Sequence, residues 1–280
     1  MTTTRTCVAT SPTPARFAPL LFAGELTLAL EFAARLGYDG VELNLRDSAE
    51  IDQSAVVAQL ASLGLSVPSI GTGQSYLVDG LSLADPDREI QTSVRQRMQD
   101  HILFAGLLGA SVVIGSVRGR LDEKSPASRQ ACYDSALEAT RSLAEFATVH
   151  GVGLTVEPIN RYETNFLNTI AETLEFIDQV GSPNIGLLAD TFHMNIEETS
   201  MDVPLRQAGA RLKHVHLVDS NRRAPGLGHL DFSPILAALG AVGFSGYLSA
   251  EILPLPDDET AAITWMKTYQ ALVAETHGAK

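Results

Sequence analysis

Four residues in the second half of the chain, Glu157, Asp190, His216 and Glu251, have side chains that bind hard metal ions and move protons. Each closes a short apolar run: LTVEP, IGLLAD, LKHVH and YLSAE. If those runs are strands, alternate residues face opposite sides. Turning Glu157 inward turns Leu154 and Val156 outward. Asp190 does the same for Leu187 and Ala189, His216 for Val215 and Leu217, and Glu251 for Leu248 and Ala250. Any one of the four would be an ordinary polar strand end; four at matching parity point to one shared site. Three carboxylates and an imidazole gathered there would repel one another unless a cation neutralised them. Oxygen-rich ligation with one imidazole suits a borderline-hard divalent ion such as Mn²⁺, Co²⁺ or Mg²⁺ better than a thiolate-seeking one.

The elements that must position these groups alternate regularly. Strand-like runs at 6–10, 40–45, 66–71, 111–115, 153–158, 185–190, 212–218 and 246–252 are each followed by a helical pattern, at 26–36, 55–63, 88–108, 126–150, 170–180, 203–209, 234–239 and 259–277. Strand-then-helix units force a parallel sheet, and eight of them match the size of a closed (β/α)8 barrel. A doubly wound open sheet would carry a glycine-rich phosphate turn after its first strand, where this chain reads ATSPTPARF. The expectation is a single TIM-barrel domain over 1–280, with the four candidate residues at its C-terminal mouth.

Composition narrows the function classes. Hydrophobic residues make up 45% and charged residues 19%, enough apolar material for a core. Thirty-three acids against twenty bases give a net charge of −13, which disfavours nucleic acid and anionic membranes as partners. Cys7 and Cys132 are too few for a disulfide framework. The N-terminus lacks a signal-peptide pattern and no run of about 20 apolar residues occurs, so a cytoplasmic location is expected.

The segments EPINRYET, ADTFHMNIEE, HVHLVDSNRRAPGLGHLDF and SAEILPLP resemble the ketose 3-epimerases, the D-tagatose and D-psicose 3-epimerase family of xylose-isomerase-like barrels. The resemblance implies a metal-dependent epimerase, usually with Mn²⁺, in which Glu157, Asp190, His216 and Glu251 are the metal ligands and Glu157 and Glu251 the acid/base pair. It also implies substrate contacts at Glu163, His193 and Arg222. The segments IGTGQSYLVDGLSL and VVIGSVRGR resemble the branch acting on keto-uronic acids such as 5-keto-L-gluconate and D-tagaturonate.

The chemistry is coherent with that pair. Epimerising the carbon beside a ketone removes a weakly acidic C–H and returns a proton to the opposite face. A metal would stabilise the cis-enediolate while two carboxylates alternate as base and acid. Arg118 and Arg120 follow strand four, and arginine suits bidentate capture of a carboxylate, so an anionic sugar is expected. Asn160 and Arg161 read as loop braces, Tyr76 as a cover or a packing residue, His214 as a core histidine and His229 as a loop residue. An aldose–ketose isomerase or inosose dehydratase on the same barrel shares the metal and carboxylates. A non-catalytic sugar-binding barrel would lack one of the paired glutamates. An abasic-site nuclease would need more histidines and a basic surface. The partner is a small sugar or sugar acid, and the reading leaves room for a homo-oligomer, a dimer or tetramer.

Overall fold

The computed structural model describes residues 4–15 and 18–278. Eight strands, β1 (Arg5–Thr10), β2 (Gly40–Asn44), β3 (Ser69–Gly71), β4 (Ser111–Ile114), β5 (Leu154–Val156), β6 (Ile185–Asp190), β7 (Leu212–His216) and β8 (Tyr247–Ala250), close in sequence order into a barrel. All pairings are parallel, including the closing one of β8 with β1. The connections carry α1 (Leu26–Leu36), α2 (Gln53–Leu63), α3 (Gly73–Leu77), α4 (Arg88–Leu108), α5 (Pro126–Val149), α6 (Ile170–Val180), α7 (Thr191–Glu197), α8 (Asp202–Ala208), α9 (Ser233–Ala241) and α10 (Asp258–Gly278). The expected (β/α)8 barrel is the fold.

Local chemistry explains the boundaries. Ser125 and Ser128 form a capping box that starts α5, with Pro126 in its first turn, where a missing N–H costs nothing. Thr169 and Glu172 do the same for α6, whose inner face buries Ile170, Leu174 and Ile177 and which stops at left-handed Gly181. Strand β3 is shorter than the 66–71 run suggests. Pro68 has no N–H for the ladder, so Ser66 makes only an isolated bridge to Gly40 and regular pairing starts at Ser69. The short helices α3 and α7, which the periodicity did not separate from loops, sit directly after β3 and β6. Asp190 starts the second by accepting from the Phe192 amide at 2.7 Å.

The strand parity holds on all four site strands. Leu154, Val156, Leu187, Ala189, Val215, Leu217, Leu248 and Ala250 all belong to the apolar layer between barrel and helices. The barrel interior is more polar, with Glu42, Ser69, Thr155, His214, His216 and Ser249 buried in it. Among the described residues no helix is long and apolar enough to cross a membrane.

The two arginines after β4 correct an expectation. Arg118 is 1% exposed and its guanidinium is spent on backbone carbonyls. It donates to Phe166 at 2.8 Å, Gly115 at 2.9 Å, Glu157 at 2.8 Å and Leu167 at 3.2 Å. Burial pushes the guanidinium down to about 10, which leaves it charged near neutrality. It ties the segment after β4 to the end of β5 and to the loop beyond, and cannot also clamp a ligand carboxylate. Arg120 lies in a separate surface depression with Tyr76, Ser82 and Lys124, and donates to the Glu163 carbonyl at 3.0 Å.

Replacing Arg118 with Met keeps the stem and removes every donor. Since a charged hydrogen bond contributes about 1.5–3 kcal/mol, urea titration is expected to show a loss above about 3 kcal/mol. Wild-type stability in Arg118→Met would show that the brace is dispensable.

Candidate active site

The strands deliver their four candidate residues to one point. Asp190 and His216 are register partners at the ends of β6 and β7. Glu157 and Glu251 are the first residues beyond β5 and β8. Glu157 Oε1, Asp190 Oδ2 and Glu251 Oε2 each lie 3.4 Å from His216 Nδ1. One donor atom from each of the four residues falls within 4.8 Å of the others. Glu157, Asp190 and His216 are buried and Glu251 nearly so.

Electrostatics at this point follow from burial against charge. Desolvation pushes the Glu157 carboxyl up to about 7, against the pull of His216 and with the push of Glu251 and Asp190. Burial would also raise Asp190, but His193, Arg222 and His216 outweigh it and hold that carboxyl well below the usual range. Burial would depress His216, but Glu251 and Glu42 reverse that and raise the imidazole well above its ordinary value. The donor set is acid-rich, dry and short of positive charge. It fits a divalent oxygen-seeking cation.

Arg222 supplies the positive charge on the open side. It pairs with Glu251, lies 3.4 Å from Asp190 Oδ2, and stacks 4.8 Å above the Phe192 ring. Burial would lower its guanidinium, but Glu251 and Asp190 raise it further. The backbone of Arg222 is left-handed, φ 58°, which a non-glycine residue adopts only when its loop enforces it. Buried Asp219 does the enforcing. Its carboxylate accepts the amides of Ser220 at 2.7 Å, Gly226 at 2.8 Å and Leu230 at 3.1 Å, and its own carbonyl accepts from Arg222 at 2.9 Å.

The other residues expected to contact substrate, His193 and Glu163, lie around the same cavity. His193, on α7, accepts from the Asn160 amide at Nδ1, 2.8 Å, leaving Nε2 3.8 Å from Asp190. Burial pushes its imidazole down to about 3, so it is neutral near pH 7. The same Asn160 amide donates to Glu163 at 2.9 Å. Arg161 clasps Glu197 at 2.7 Å, locking this loop to α7. The cavity above the cluster is lined by Glu163, His193 and Arg222 at one end and by Asn44, Gln74, Ser116, Leu20 and Leu77 at the other. Tyr76 faces the outer depression instead, and His229 bonds to Ser220 Oγ at 2.9 Å in an exposed loop. Arg118 and Arg120 are absent from the lining.

Sequence reasoning missed Glu42. It is 1% exposed in the barrel interior, with Oε2 2.9 Å from His214 Nε2 and 3.2 Å from His216 Nε2. Burial would raise its carboxyl, but the two imidazoles hold it well below the usual range. The signal was present in GVELN: with Val41 and Leu43 facing the helices, Glu42 must face inward, and a charge there needs partners.

Known proteins share this arrangement of chain. Residues 30–269 match the xylose isomerase-like TIM barrel family. An L-ribulose 3-epimerase from Mesorhizobium japonicum is 35% identical over 230 residues, 81% of this chain and 75% of that protein. A solved L-ribulose 3-epimerase superposes with a TM-score of 0.83 at 28% identity, covering 99% of this chain and 96% of the other. D-allulose 3-epimerase from Methylomonas sp., solved in complex with D-allulose, gives 0.79 at 27% identity, covering 96% and 97%. The strand-end cluster thus sits in a chain that belongs to the xylose isomerase-like TIM barrel family and, within it, to the sugar epimerases of the ketose 3-epimerase type.

Proposed function

We propose that this protein inverts C3 of a neutral ketose, with Glu157 and Glu251 as the two proton carriers. The observation that carries this is the set of three carboxylate oxygens at 3.4 Å from His216 Nδ1, on the floor of a cavity open to a small ligand. A divalent cation, Mn²⁺ first, held by Glu157, Asp190, His216 and Glu251, would supply the positive charge that makes the C3–H acidic enough to remove. Glu157 and Glu251 come from strands with two others between them, so they approach a bound sugar from different sides. One takes the proton from C3 and the other returns one to the opposite face, which inverts that carbon. His193 and Arg222 sit beside the cluster to hold the sugar oxygens in that alignment.

The far end of the cavity favours a neutral sugar over a keto-uronic acid. Among the described lining residues Arg222 is the one arginine or lysine, and it is committed to Glu251 and Asp190. Asn44 Nδ2 is buried there without a partner. Gly71 makes room for it, since a Cβ at that position would overlap the Asn44 amide. An unpartnered amide donor suits a sugar hydroxyl and a carboxylate oxygen alike, so it marks a polar contact and not the charge of the sugar. Arg118 is spent on backbone carbonyls and Arg120 lies outside this cavity, which takes the arginine clamp out of the case for an anionic sugar.

Three outcomes test this reading. Removing metal with a chelator is expected to abolish epimerisation and lower the melting temperature, with both restored by Mn²⁺; full activity in a protein shown by metal analysis to be empty would refute it. Glu157→Gln and Glu251→Gln, assayed with saturating Mn²⁺, should each lose about 10²–10⁴-fold in turnover. Wild-type turnover in either would remove the two-carboxylate scheme. A neutral ketose should be a better substrate than the keto-uronic acid of matching stereochemistry, and Asn44→Leu should raise KM for the ketose about 2–10-fold, the worth of one neutral hydrogen bond. A preference for the acid would reinstate the anionic substrate.

A further inference from the structure

Glu42 lies behind the cluster, on the opposite side of His216 from the three carboxylates. Its oxygens approach Nε2 of His216 at 3.2 and 3.3 Å, while Nδ1 of the same ring faces Glu157, Asp190 and Glu251. The two nitrogens of this imidazole therefore look at different partners. An ionised carboxylate only accepts hydrogen bonds, so the nitrogen that faces Glu42 carries a proton whether or not Nδ1 does, and Nδ1 is the one left for a cation to take over. His214 Nε2 donates to the same carboxylate from 2.9 Å and stands edge-on to His216, with ring centres 5.5 Å apart. Cys7 completes the surroundings on β1. Cys7, Glu42 and His214 bring donor atoms close enough to be weighed as a second metal site. Glu42 is already turned to both imidazoles, which leaves that trio without a free oxygen ligand.

We infer that Glu42 is a positioning residue for the metal centre: it holds the Nε2 proton of His216, so that the Nδ1 lone pair is presented to a cation among Glu157, Asp190 and Glu251. The inference rests on the metal reading above. Carboxylate partners behind a ligating imidazole fix its tautomer and its ring angle and increase its basicity. Three features of this chain suit the role. Glu42 is fixed on a strand, at the barrel centre, with 1% of its surface exposed. His214 holds Glu42 from a second side through its 2.9 Å contact with Oε2. His216 is itself only 1% exposed, with neighbours at both ring nitrogens.

Calorimetric titration with Mn²⁺ tests the role without reference to turnover. A glutamine at position 42 keeps the volume but swaps one acceptor oxygen for an N–H donor aimed at imidazole N–H groups. Glu42→Gln is therefore expected to bind Mn²⁺ about 10–100-fold more weakly than wild type. His214→Gln, which leaves the Glu42–His216 contact in place, should keep most of the affinity. Wild-type affinity in folded Glu42→Gln, or equal losses in the two variants, would overturn the assignment. If Glu42→Gln does not fold, the wild type decides. With ¹⁵N-labelled histidine and saturating Mg²⁺, the Nε2–H of His216, assigned by its loss in His216→Asn, should be protected from solvent exchange. Rapid exchange of that proton would overturn the assignment. Absence of any Mn²⁺ uptake by the wild type would instead overturn the metal reading beneath it.

Discussion

Carboxylates repel one another, and three of them 3.4 Å from a shared imidazole nitrogen inside a barrel do so with little water to screen them. Much of the rest of the structure answers that repulsion. The carboxylates raise His216 and Arg222 above their ordinary values, and burial, with Glu251 and Asp190 adding to it, pushes Glu157 toward its neutral form. A protein that kept such a cluster only for stability would do better with apolar residues of the same size. The same negative charge attracts a divalent cation, which would in turn offset the negative charge that builds on a carbon acid losing its proton.

The barrel supplies rigidity where this balance needs it. Each of the four donors ends or just follows a strand whose outward neighbours are locked in the apolar layer, so its direction is set by the sheet. The loops are tied down by groups that touch no ligand. Arg118 binds the Glu157 carbonyl and the turn at Phe166 and Leu167, Asp219 folds the loop that carries Arg222, and Arg161 fastens the loop after β5 to α7. The Leu253 amide donates to the Arg222 carbonyl at 2.8 Å, which joins the loops after β7 and β8. Preorganisation of this kind leaves little to rearrange as charge moves during reaction.

The closed barrel was legible in the sequence from its eight strand-then-helix units, and the four strand-end donors from the period-2 alternation of their strands; one chain displays both unaided. Arg118 was misread for a physical reason. Sequence places it correctly after β4, but position does not reveal that the carbonyls of residues 115, 157, 166 and 167 converge on it. Such convergence is a tertiary fact. Glu42 was legible by parity and was passed over because its partners lie on β7, more than 170 residues away. The helices α3 and α7 escaped because five and seven residues are too few for a 3.6-residue pattern to declare itself.

The central claim is that C3 loses its proton to one glutamate and regains one from the other. Incubating the Mn²⁺-loaded protein with a neutral ketose in D2O, and locating the label by NMR and mass spectrometry, addresses it most directly. The account predicts one deuterium in the epimeric product, at C3 and nowhere else, since the returning proton comes from a carboxyl that has equilibrated with solvent. Deuterium at C1, or an epimer formed with no deuterium at all, would contradict it.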